Sequence, residues 1–60
     1  MNNELIRDLL NNYIKKYGTS KAHVAREIGV SRNTVSQFCL GKRNVSKDTL
    51  ARIKDYIFRN

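Results

Sequence analysis

Proline is absent from this chain, so no residue interrupts a helix by lacking an amide donor. There is a single cysteine, Cys39, which excludes an internal disulfide and fits a reducing cytoplasm. No apolar run approaches the ~20 residues that a membrane-spanning helix needs. The opening residues, MNNELIRD, are polar and acidic, unlike a signal peptide. Internal repeats, low-complexity tracts and linkers are lacking too. So is catalytic equipment. The lone histidine, His23, sits near Lys21 and Arg26, with no cysteine or carboxylate cluster beyond Glu27, and reads as a surface or half-buried histidine. Metal-ligand spacing, a Gly-rich phosphate loop and a Ser–His–acid set are missing. The expectation is a protein that is not an enzyme, with no cofactor, no metal and no small-molecule ligand.

Acidic residues are scarce: five Asp and Glu face twelve Lys and Arg, for a formal charge of +7 and a pI near 10.1. That balance suits a polyanionic partner, nucleic acid or an acidic membrane surface. The stretch between Glu27 and Asp48 holds no acid, while Arg32, Lys42, Arg43 and Lys47 all fall within it. Sixty residues make one domain, residues 1–60. A domain of that size buries only about 60% of its unfolded surface, which leaves little room for a substrate cleft.

Apolar spacing predicts four helices. The first runs from about Asn3 to Tyr17, with Asn3 as its cap, Glu4 near its N-terminus and Lys15 and Lys16 near its C-terminus, each sign favourable to the helix dipole. Leu5, Leu9, Tyr13 and Tyr17 form one four-residue row beside Ile6, Leu10 and Ile14, a wide core-facing stripe. A membrane-surface helix fits less well, because the other face mixes Arg7, Asp8, Asn11, Asn12 and Lys16. Gly18 supplies the stop. The second helix spans about Lys21 to Ile28, capped by Ser20, with the small Ala25 admitting a close neighbour. Gly29 ends it at positive φ, and Val30 plugs the core. The third runs from about Arg32 to Leu40, between Ser31 and Gly41. The last spans about Lys47 to Phe58, capped by Ser46, with Leu50, Ile53 and Ile57 inward. Tyr56 and Phe58 fall on opposite flanks, as covers for the core edge or as part of a dimer surface. Four helices with short connections make an all-α domain.

Residues 20–41, SKAHVAREIGVSRNTVSQFCLG, are the most informative stretch. At about 100° per residue, Arg32, Asn33, Ser36 and Gln37 fall on one arc of the third helix. Thr34, Val35, Phe38 and Cys39 fall on the other. The second arc is a core stripe, on which Cys39 reads as a buried thiol. The first is a row of hydrogen-bonding groups with no acid to repel phosphate. Arg pairs bidentately with guanine, and Asn or Gln with adenine, in the major groove. An ordinary solvated face is the alternative, but such faces usually carry Glu and Lys. Face, cap and turn together point to a helix-turn-helix at about 20–41 that reads DNA.

Ala25, three residues on Gly29-Val30-Ser31, then Val35-Ser36 and Gly41-Lys42 resemble the lambda-repressor-like family of phage repressors and Cro proteins, also called XRE. The resemblance covers about Leu5 to Ile57. It implies a compact four-helix domain, with or without a vestigial fifth helix. It also implies sequence-specific binding of double-stranded DNA by a homodimer on a palindromic operator, most often for transcriptional repression. A phage or mobile-element origin and a place in the bacterial cytoplasm, at the host nucleoid, follow from the same resemblance. By matched position, Arg32, Asn33, Ser36 and Gln37 would read bases. Ser20, Lys21, Lys42, Arg43, Asn44, Ser46 and Lys47 would hold phosphates. For a dimer, the expected interface is the C-terminal helix from Tyr56 to Phe58 with the Val45 loop.

Three positions depart from the family pattern. Relatives often pair an Arg of the first helix with a Glu near the end of the third. Here Ile14 and Cys39 stand there, so an apolar contact is expected. Leu40 replaces the polar residue before the helix-ending Gly, either meeting a thymine methyl or turning inward. The chain also leaves little room for a fifth helix. Two other readings of the same residues are a recombinase or transposase DNA-binding module and a small protein-binding module, an antirepressor or a polymerase-binding protein. RNA binding ranks below them, because Tyr13, Tyr17, Phe38, Tyr56 and Phe58 sit mostly on core stripes rather than a basic stacking platform.

Overall fold

In the computed structural model, which describes residues 2–59, four helices follow one another: α1 (Asn3–Tyr17), α2 (Lys21–Ile28), α3 (Arg32–Cys39) and α4 (Lys47–Phe58). No strand occurs among the described residues. Serine caps start the last three helices. Ser20 Oγ accepts from the His23 amide at 3.0 Å, Ser31 Oγ from Thr34 at 3.1 Å and Ser46 Oγ from Thr49 at 3.3 Å. Each satisfies one of the amides that a helix start leaves unpaired. Ser31→Ala should therefore destabilise the fold by about 1 kcal/mol and lower the thermal midpoint by about 4–8 °C. Circular dichroism during heating checks this.

The cap of α1 is Asn2 rather than Asn3. Asn2 is extended and its Oδ1 accepts from the Leu5 amide at 2.7 Å. Asn3 Oδ1 instead accepts from the Val45 amide at 2.8 Å. A tertiary partner decides between two adjacent asparagines. At the other boundary, α3 stops at Cys39 and Leu40 is its C-cap. Gly41, at φ 78°, reverses the chain there. Its amide reaches Phe38 O at 3.1 Å, and that of Lys42 reaches Gln37 O at 3.0 Å, the paired closure of a Schellman motif. Gly29, at φ 79°, makes the tight turn between α2 and α3, and a side chain at that φ would be strained.

Every helix contributes to one core. Ile6 and Leu10 come from α1, Val24, Ala25 and Ile28 from α2, Val35, Phe38 and Cys39 from α3, and Leu50, Ile53 and Tyr56 from α4. Val30 packs on its edge with Leu9, Tyr13, Ile14, Val45 and Ile57. The stripe of α1 is narrower than its two apolar rows suggest, since Leu5 and Tyr17 are exposed. Leu5 lies about 120° from the centre of the stripe at 3.6 residues per turn. Tyr17 lies on the right bearing but in the last turn, where its ring rests 4.8 Å from that of Tyr13. On α4 the inward row is Leu50, Ile53 and Tyr56, with Ile57 half-buried. Tyr56 is only 7% exposed, with its ring 5.3 Å from Tyr13 and 6.3 Å from His23. It fills the seam between α1 and α2, in keeping with a cover for the core edge.

Candidate nucleic-acid interface

The Ser31 cap starts α3 at Arg32 and so decides which residues point outward. Arg32 and Asn33 are exposed in its first turn, and Ser36 and Gln37 follow half-buried one turn on. Val35, Phe38 and Cys39 anchor the opposite face. The structure thus gathers all four expected base-reading residues on one accessible face. Ala25, buried on α2, leaves α3 close access to its neighbour. Leu40 does not turn inward. It is 59% exposed and extends the outer face beyond the last helical turn.

The expected phosphate-holding groups lie at the starts of α2 and α4 and in the loop after α3, and their roles differ. The hydroxyls of Ser20 and Ser46 serve as helix caps, which leaves Lys21 and Lys47 as the cations at those two helix starts. Lys42, Arg43 and Asn44 are exposed in the loop after α3. Arg43 Nη1 reaches back to Thr34 Oγ1 at 3.4 Å, in the first turn of α3. Among the described residues the ion pairs are Arg59 with Glu27 at 3.6 Å and Arg59 with Asp55 at 3.7 Å. Neither takes up Lys21, Arg32, Lys42, Arg43 or Lys47. Among the described residues these cations stand without carboxylate partners, and all but Lys21 lie in the stretch that the sequence leaves free of acid.

Two sequence expectations resolve on geometry. Where relatives carry an ion pair, Ile14 and Cys39 both belong to the apolar packing, and the Asn11 amide adds a hydrogen bond to Cys39 O at 3.1 Å. Burial pushes the Cys39 thiol above its usual pKa, against the opposing pull of Lys21 and Arg7. It stays protonated at neutral pH as a packing group. The expected dimer set, by contrast, is not brought together. Val45 is half-buried at the start of α4, tied to Asn3, while Tyr56 is in the core. Phe58, 61% exposed, stands at the far end of α4, about 18 Å away at 1.5 Å per residue. There it lines a shallow groove with Leu9, Tyr13, Tyr17 and Ile57.

Sequence reasoning placed Arg7 on the solvent face of α1 and missed its role. Its guanidinium lies 4.9 Å from the centre of the Phe38 ring. Nε donates to Phe38 O, and Nη2 donates to Arg43 O at 3.2 Å and Asn44 Oδ1 at 3.1 Å. A signal was present: seven residues bring the helix round to within about 20°, so Arg7 shares the bearing of Ile14 at the edge of the stripe.

A sequence model of the helix-turn-helix family matches residues 10–57. Comparison with curated proteins and with solved structures gave no match.

Proposed function

The chain belongs to the lambda-repressor-like helix-turn-helix family of DNA-binding transcription regulators, and on that premise we propose that it is a Cro/CI-type repressor that binds a palindromic operator as a homodimer. The observation that carries the reading is the outer face of α3. Arg32, Asn33, Ser36 and Gln37 share it, accompanied by cations that pair with no carboxylate among the described residues. In this account α3 lies in the major groove. Lys21, Lys42, Arg43 and Lys47 hold it there through phosphates, assisted by Asn44 and by the helix starts at Ser20 and Ser46. These contacts fix register and orientation, while the face of α3 chooses sequence. Arg32 is matched to a guanine, and Asn33 or Gln37 to an adenine. Two protomers reading half-sites about one helical turn apart supply affinity that one small module lacks. For the dimer surface this reading offers the exposed Phe58 and the half-buried Val45, with Tyr56 buried.

Two variants test the division of labour. Arg32→Ala should weaken binding to a selected site by about 1–3 kcal/mol and relax preference at one base pair. Lys42→Ala should weaken all sequences alike. Affinities for a panel of single-base operator variants separate the two effects. A uniform loss in both proteins would remove Arg32 from the base-reading set.

A further inference from the structure

Three polar residues of α1 stand four apart: Asn3, Arg7 and Asn11. Residues at that spacing line one face of a helix, and all three engage the exit of α3. Asn11 holds Cys39 O. Arg7 holds Phe38 O, Arg43 O and Asn44 Oδ1. Asn3 holds the Val45 amide. The segment from Phe38 to Val45 is therefore registered along a helix that lies outside the helix-turn-helix. Arg7 is its central tie, and its guanidinium also packs against the Phe38 ring.

The chemistry at Arg7 is directional. A guanidinium carries only donors, so the Asn44 atom facing it is the carbonyl oxygen. That leaves the Asn44 NH2 group as a donor for an acceptor on the solvent side. The carbonyls at the end of α3 form the negative pole of that helix, and the Arg7 cation sits on one of them. With Nε and Nη2 both occupied inside the protein, Arg7 spends its fork on the loop.

We propose that Arg7 is a positioning residue: it holds the loop Gly41–Val45 in the shape in which Lys42, Arg43 and Asn44 face one phosphate backbone, without itself touching DNA. This rests on the proposed function, which it deepens. Arg7→Lys keeps the charge but cannot span three acceptors in a fork. Arg7→Met keeps a stem over Phe38 and loses both charge and fork.

The test measures two quantities for wild type, Arg7→Lys, Arg7→Met, Arg43→Ala and the Arg7→Met/Arg43→Ala pair. One is amide hydrogen exchange of Lys42 and Val45 in the free protein. The other is binding to a selected duplex over a range of potassium chloride concentrations. Both Arg7 variants should exchange these two amides faster while α2 amides stay protected as in wild type. Both should bind about tenfold more weakly, the scale of one lost charge-assisted contact. The double variant should lose less than the sum of the two single losses, because both act on one loop. Three results would overturn the role: Arg7→Lys binding like wild type, which shows that the guanidinium fork is not needed; unchanged exchange in Arg7→Lys; or additive losses in the double variant. If Arg7→Met fails to fold, Arg7→Lys alone decides. Wild type that binds no duplex at low salt sinks the proposed function and this role together. Wild type that binds while Arg7→Lys matches it sinks this role alone.

Discussion

Phe38→Ala is expected to remove at least about a third of the protein's stability. The Phe38 side chain is 0% exposed and sits in a core to which all four helices contribute. Truncating a buried Phe to Ala typically costs about 3–5 kcal/mol, the lost transfer energy plus the cavity left behind. A chain of this length is stable by only about 3–9 kcal/mol at 0.05–0.15 kcal/mol per residue. One substitution thus removes a large share of the whole. The neighbours have little means to close the gap. Arg7 packs against the ring and is tied to the carbonyls of Phe38 and Arg43, so it cannot collapse inward without breaking those bonds. Urea titration followed by circular dichroism measures the loss. The midpoint should fall by at least about a third relative to wild type. A shift of only a few per cent would show that the Phe38 site repacks, and that the core is looser than its burial implies.

Affinity for duplex DNA should fall steeply with salt, with a slope that reports stoichiometry. Lys21, Lys42, Arg43 and Lys47 are the cations assigned to phosphates. Log affinity falls with log salt by about 0.9 per neutralised phosphate, which gives about −3.6 for one protomer and about −7 for two. Raising salt from roughly 50 to 200 mM then weakens binding about 10²-fold for a monomer and about 10⁴-fold for a dimer. Anisotropy titrations on a selected duplex measure the slope. The dimeric account requires the steeper value. A slope near −3.6 would keep the phosphate contacts and remove the second protomer. A slope near zero would remove both, and would favour a protein partner for the outer face of α3.

What was legible in the sequence was local. Three serine caps, the turns at Gly29 and Gly41 and the alternation of faces on α3 depend on residues within one or two turns of each other. Composition and spacing therefore register them directly. What was not legible depends on residues far apart in the chain. Asn2 and Asn3 are equivalent as caps until Val45 claims Asn3. Arg7 resembles any solvated arginine until the carbonyls of Phe38 and Arg43 arrive beside it. Tyr56 falls on the flank of the row Leu50, Ile53 and Ile57, and the packing of α4 against both α1 and α2 turns that flank inward. Its ring lies 5.3 Å from Tyr13 and 6.3 Å from His23. The face of α3 was readable because its cap and its core residues both lie in its own sequence. The geometry of the loop beside it was not, because α1 sets it.

Selection of binding sites from random double-stranded DNA, compared at low and moderate salt, tests the central claim most directly. The account predicts enrichment of a two-fold symmetric motif whose half-sites lie about one helical turn apart, surviving at moderate salt. A pool that binds only at low salt and shows no enriched motif would contradict it, reducing the cationic surface to unspecific electrostatics.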